Sequence, residues 1–274
     1  MSVVFKSQNH IYESIDPTEK IKWTSVTTFI GLFKEPFDAK KQAEKSSKNK
    51  RSKWYGISPE KIQEVWKAES KRADGAGTWY HTQREEDVSS LDSIQRDGIN
   101  LPIVKPILDG DLKYAPVQQL VESIYPEHFI YLKSAGICGQ ADRVEVVKDV
   151  VNITDYKTYK EIKTEGFKNW EGITKKMLPP VHHMDDCNLN HGALQLSLYL
   201  YMILKHNPNL KPGKLEIQHV TFKLDGLDEH GFPLAAKDYS GKPIVDKITN
   251  YRVPYLRSEI REMIKHFQAN DKTV

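Results

Sequence analysis

Cysteine is scarce in this chain of 274 residues: there are two, Cys138 and Cys187. Two thiols do not make a disulfide framework and fit a reducing compartment. They also exclude a four-cysteine iron–sulfur cluster supplied by this chain alone. No stretch of 18 apolar residues occurs, so no transmembrane helix and no membrane partner are expected. The first residues, Met1 to Lys6, lack the charged start and long apolar core of a secretory signal, and a cytoplasmic location is expected. The phosphate-binding pattern Gly-x-x-x-x-Gly-Lys-Ser/Thr is missing too, so the chain is expected to carry no helicase motor of its own, and no nucleotide cofactor is expected.

What is present suits a globular protein. Hydrophobic residues make up 39% and charged residues 28%. The length allows one large domain, or one domain with an appended helical piece. The net charge of +3 is unevenly spread. Residues 1–72 hold 15 Lys and Arg against 9 Asp and Glu, whereas the remainder holds 25 against 28. The surplus is dense from Lys34 to Lys53, either a solvated helix face or a surface for a phosphate backbone.

Along the chain, residues 1–22 read as a short hairpin or irregular segment with Phe5, Ile11 and Tyr12 as candidate buried positions. The Thr24-Ser25-Val26-Thr27 cluster before an apolar run signals a helix start. Phe37 to Lys53 reads as a basic amphipathic helix. Ser58-Pro59-Glu60 opens another helix, expected to run to Arg72, broken at Gly75-Ala76-Gly77-Thr78 and followed by a new helix from Trp79 to Glu86. Residues 87–116 read as a loop-rich insertion. Val117 to Tyr125 reads as a short helix or strand, and His128 to Leu132 as a strand. Gly192 to Lys205 is apolar on most sides, a buried helix. Leu215 to Leu224 and Thr249 to Val253 read as strands, and a last helix carries Ile260, Ile264 and Phe267. The run His182-His183-x-x-x-Cys187-x-x-x-His191 lacks the spacing of a zinc finger and is discounted.

The informative stretch runs from Gly139 to Lys157. Two β-rich segments flank the polar Lys148-Asp149, a hairpin. Alternation places Val151, Ile153, Asp155 and Lys157 on one face. An apolar face that ends in a carboxylate and an ammonium belongs at an open edge of the core, where the charges meet each other or a metal. Asp142, on the adjoining strand, brings a second carboxylate. Two carboxylates and a lysine suit a hard cation with phosphodiester chemistry.

The order of motifs resembles the RecB-like branch of the PD-(D/E)XK nucleases. Gly77-x-x-x-His81, Gly139-x-x-Asp142, Asp155-x-Lys157 and Gln195-x-x-x-Tyr199 follow one another as they do in that branch, across roughly residues 75 to 205. The Ser25-Val26-Thr27 element is similar to one in mitochondrial genome maintenance exonuclease and its phage relatives. The resemblance implies an α/β fold: a central mixed sheet of four or five strands flanked by helices. Residues 1–74 would form a helical, basic part over the cleft and residues 75–274 the nuclease core, together one compact unit. It implies a DNA exonuclease dependent on Mg²⁺ or Mn²⁺, with Asp142, Asp155 and Lys157 catalytic. Metal ligands would be His81, Asp142, Asp155 and the backbone carbonyl of Tyr156. Glu127 and Glu85 would stand behind them. Gln195, Tyr199, Ser25, Thr27, Thr158 and Lys160 would line the DNA path. DNA, as single strands or duplex ends, is the implied partner, with a helicase, recombinase or single-strand-binding protein beside it. The rival readings are an endonuclease of the same fold, a non-catalytic nucleic-acid binder, and an unrelated α/β protein.

Overall fold

A computed structural model of the protein describes residues 3–6, 11–115 and 118–271. Val117, the first residue of one expected element, lies outside them. Strands β1 (Val3–Lys6) and β2 (Ile11–Ser14) pair antiparallel. Phe5 is buried, but Ile11 is 44% exposed, against expectation, because β2 is an edge strand and turns Ile11 outward. A two-residue strand, β3 (Thr24–Ser25), leads into α1 (Val26–Gly31). Ser25 caps it, its Oγ accepting the Thr28 N–H at 3.1 Å. Helix α2 (Ala39–Lys48) is shorter than the expected span. Asp38 caps its start by accepting the Lys41 N–H, and Asn49 closes its end.

The expected break at Gly75–Thr78 does not occur. Pro59–Ser89 is one helix of 31 residues, α3, capped by Ser58. Each helical glycine costs about 1 kcal/mol relative to alanine. Packing at both ends offsets that cost: Ile62 and Val65 join Trp54 and Ala43, while Tyr80 joins Tyr156 and Val220. Gly77 also meets the chain just past Lys157 at close range. A Cβ there would sit 3.0 Å from Thr158 Oγ1. The line drawn at residues 74 and 75 falls inside this helix.

Residues 87–116 are not loop-rich but hold two hairpins. Strands β4 (Ser93–Arg96) and β5 (Ile99–Pro102) turn at Asp97-Gly98, with φ of 49° and 79°. Both residues in the left-handed region mark the turn type that Asp-Gly favours. Strands β6 (Ile107–Asp109) and β7 (Leu112–Tyr114) form the second, and β7 pairs with β1. The result is a four-stranded sheet in the order β2-β1-β7-β6.

Strand β8 (Ser123–Leu132) runs through Pro126, its pairing with the next strand lapsing only at Glu127. Strands β9 (Ile137–Val147) and β10 (Val150–Lys157) form the expected hairpin, with Lys148 and Asp149 at φ of 48° and 63°. Helix α4 (Asn188–His206) crosses over to β11 (Lys211–Phe222), parallel to β10. A small hairpin, β12 (Leu224–Leu227) and β13 (Pro233–Ala235), precedes β14 (Val245–Val253) and α5 (Arg257–Asp271).

The central sheet has six strands, ordered β14-β11-β10-β9-β3 with β8 also on β9. It is mixed, and the protein is α/β. Leu194, Leu198 and Met202 of α4 lie in one buried cluster with Val151, Ile153, Leu215 and Ile217 of the sheet. Each such side chain contributes about 1.5–3 kcal/mol by leaving water. Tyr80 of α3 packs on Tyr156 in a separate cluster. Among the described residues, no helix is long and apolar enough to cross a membrane.

Candidate metal centre

The central sheet comes apart along one edge of β9. That edge pairs with β10 only from Arg143 to Val147, and with β3 at Ile137 and Cys138. β10 runs on to Lys157 with β11 as its partner there. The Tyr156 N–H would then lack a ladder acceptor. Asp142 supplies one, its Oδ2 accepting that N–H at 2.5 Å. A side chain thus closes the gap in the sheet.

On the other edge of β9 the ladder with β8 lapses at the same level. Pro126 pairs with Arg143 and His128 with Ala141, which leaves Glu127 opposite Asp142. Glu127 has φ of 45°, in the left-handed region. That conformation costs a glutamate roughly 1 kcal/mol or more. Both strands lose their alternation here. Tyr125 and Ile130, five apart, lie in the same buried cluster, as do Ala141 and Val144, three apart. A period of two would send each pair to opposite faces.

Helix α3 brings His81 to this spot, with Nδ1 at 3.4 Å from Asp142 Oδ1. His81, Glu127 and Asp142 each offer a ligand atom within 4.8 Å of the others. Beside them Asp155 is 1% exposed. Its Oδ1 accepts Gln195 Nε2 at 3.1 Å. Its Oδ2 pairs with Lys157 Nζ at 2.7 Å. Gly139 gives the buried Tyr199 ring its place. A Cβ there would lie 3.0 Å from Tyr199 Cε1.

The electrostatics follow from burial and crowding. Burial alone would lower the His81 pKa. The Asp142 hydrogen bond and charge, with Asp155 and Glu127, instead raise it to about 9. Burial, then the charge of Asp142, pushes Glu127 up to about 8 against the pull of Lys113. Burial pushes Asp155 up to about 6, opposed by Lys157. Burial would lower Lys157, and the Asp155 carboxylate holds it above the usual lysine value. Acids that hold protons more tightly than usual, packed around an imidazole, form a site that a divalent cation would relieve. Two carboxylates and an imidazole suit Mn²⁺ or Mg²⁺.

The geometry distributes the sequence-derived residues unevenly. Glu127 stands in the group of three with His81 and Asp142. Asp155 stands next to it, paired with Lys157 and held by Gln195. Tyr156 enters through its N–H, and its ring lies 5.7 Å from the His81 ring. Glu85 reaches Lys113 at 3.4 Å. Ser25 caps α1 and bonds the Thr27 and Thr28 hydroxyls. Thr158 faces Gly77, and Lys160 is exposed. Lys113 of β7 escaped the sequence reading. Its Nζ lies 3.2 Å from Gln140 Oε1 and 4.0 Å from Glu127. The signal that could have found it is the alternation of Leu112 and Tyr114 around it, hidden because the stretch read as loop.

Comparison with family models, with curated proteins and with solved structures finds no match for this chain. The functional reading therefore rests on the site.

Proposed function

We propose that this protein is a metal-dependent deoxyribonuclease, acting as an exonuclease on single-stranded or end-processed DNA, with a core of the PD-(D/E)XK type. The observation that carries the reading is the convergence of His81, Glu127 and Asp142 beside the buried Asp155–Lys157 pair. The motif order of the sequence points the same way.

His81, Glu127 and Asp142 would hold Mg²⁺ or Mn²⁺, with Asp155 contributing a carboxylate oxygen. When bound, the cation supplies positive charge to a phosphodiester oxygen. Lys157 sits where an ammonium donor can steady charge building on the phosphate or orient the attacking water. Asp155 fixes that ammonium, and Gln195 fixes Asp155. Asp142 has two tasks: one oxygen takes the Tyr156 N–H, and the other faces His81.

The test is digestion of single-stranded DNA labelled at the 5′ or the 3′ end, in Mg²⁺ or Mn²⁺, beside a closed single-stranded circle. Wild type should degrade the linear strand and spare the circle, and Lys157→Ala should bind DNA without cutting it. Cutting of the circle moves the protein to an endonuclease. Binding with no cutting by wild type in either metal refutes the nuclease reading and leaves a binding module.

A further inference from the structure

Ten residues after Lys157, between β10 and α4, the chain projects a tight turn. Its tip carries three large apolar side chains in the open: Phe167 is 75% exposed, Trp170 92% and Ile173 62%. The turn is tied down. Asn169 Oδ1 accepts the N–H groups of Glu171 and Ile173, both at 2.9 Å. At its base, Gly166 donates to Asp185 and Lys175 pairs with Asp186 at 2.8 Å. Gly166 has no room for a side chain, since a Cβ would lie 2.2 Å from the Lys175 carbonyl oxygen. A rigid turn that holds two aromatic rings in water is not explained by the core.

Its neighbour on the surface carries the missing half of the chemistry. Lys175 lies 3.9 Å from Glu35, and the Leu178 N–H donates to the Phe33 carbonyl. The turn therefore abuts the segment that leads into α2. Lys34, Lys40, Lys41, Lys45 and Lys48 of that segment and helix are exposed, and among the described residues none has a carboxylate in ion-pair range. The lysines of the turn, in contrast, are neutralised by Glu165, Asp185 and Asp186. Flat apolar rings on a turn whose base meets a segment of unpaired cations match a polymer that alternates flat bases with phosphates.

We infer that the 167–173 turn and α2 together form a binding surface for single-stranded nucleic acid: unpaired bases stack on Trp170 and Phe167, and phosphates lie along the lysines of α2. The surface depends on nucleic acid being the substrate, as proposed above, and it assigns a preference for unpaired over duplex strands. A stacked base is sequence-tolerant because every base has a π-face.

The experiment measures anisotropy of labelled oligothymidylate on the Lys157→Ala protein in EDTA, where nothing is cut. Trp170→Ala should weaken binding roughly tenfold, and Trp170→Phe, which keeps a ring, about twofold. Blunt duplex should be indifferent to both. Replacing Lys40, Lys41 and Lys45 by glutamine should lower the slope of log affinity against log salt by about 2, at about 0.7 per phosphate contact. Unchanged affinity in Trp170→Ala, or Trp170-dependent binding to phosphatidylserine vesicles without binding to the oligonucleotide, overturns the inference. If wild type cuts DNA but Trp170 does not matter, the surface fails and the nuclease reading stands. If Trp170-dependent binding occurs and DNA is never cut, the surface stands and the nuclease reading fails.

Discussion

Replacing Lys157 by methionine gives a cost whose dependence on pH follows from the site. The substitution keeps most of the side-chain volume and removes the ammonium 2.7 Å from Asp155 Oδ2. Asp155 is left buried at 1% exposure with no counter-charge. An isolated buried carboxylate takes up a proton rather than stay charged. In the wild type Asp155 holds its proton up to about pH 6. In the variant it should hold it well beyond pH 8. Between those values the folded variant carries one proton that the folded wild type lacks, while both unfolded chains are ionised. Each pH unit then costs the variant about 1.4 kcal/mol more than the wild type. The extra cost is near zero at pH 6, about 1.4 kcal/mol at pH 7 and about 3 kcal/mol at pH 8, entering the roughly 3–5 kcal/mol range of broken buried ion pairs. Burying a thioether in place of an ammonium shifts this line without tilting it. Urea denaturation in EDTA at pH 6, 7 and 8 measures the slope. Adding Asp155→Asn should flatten it. A stability difference that does not change with pH, or a double variant with the same slope as Lys157→Met, refutes the reasoning.

Other outcomes follow from the same cluster. His81 and Glu127 have folded pKa values of about 9 and about 8, above their ordinary ones. Each adds stability to the metal-free protein that is full below its ordinary pKa and is lost as pH climbs through the folded one. Metal-free melting temperature should therefore fall from about pH 5 to pH 9, and the upward shift given by Mn²⁺ should grow over the same window, which a thermal scan with and without EDTA checks. Glu127→Gly removes one of the three clustered ligand groups, so the upward shift given by Mn²⁺ should shrink, which the same thermal scan checks. Gly139→Ala would press on Tyr199 and on Val26 Cγ2, 3.1 Å away, and should cost about 1–3 kcal/mol in urea denaturation.

Elements whose evidence is local were legible in the sequence. The Lys148-Asp149 turn, the alternating face from Val151 to Lys157 and the nearly all-round apolar character of α4 carry their own signals. The continuity of α3 was not legible, because Gly75 and Gly77 read as a break, and the packing that overrides them comes from residues far along the chain. The Asp97-Gly98 hairpin was hidden inside a stretch that read as loop, since its strands are short and lack strong alternation. In the site, strand alternation put Asp155 and Lys157 on one face and the hairpin brought Asp142 beside them, whereas His81 entered through the resemblance in motif order. The closeness of Glu127 to His81 depends on a backbone conformation that no side-chain pattern encodes, and Lys113 arrives on a strand whose reason to exist is its pairing with β1.

Asp142 also bears on how this protein could change over generations. Its carboxylate is both a face of the cluster and the splice between β10 and β9. Asparagine can keep the splice while losing the charge, whereas most other residues lose both. A lineage that stopped needing the chemistry could not freely let this position drift, because the loosened sheet would raise the unfolded fraction and expose the chain to proteolysis. Retention of Asp or Asn at position 142 would thus be enforced by protein turnover as well as by function.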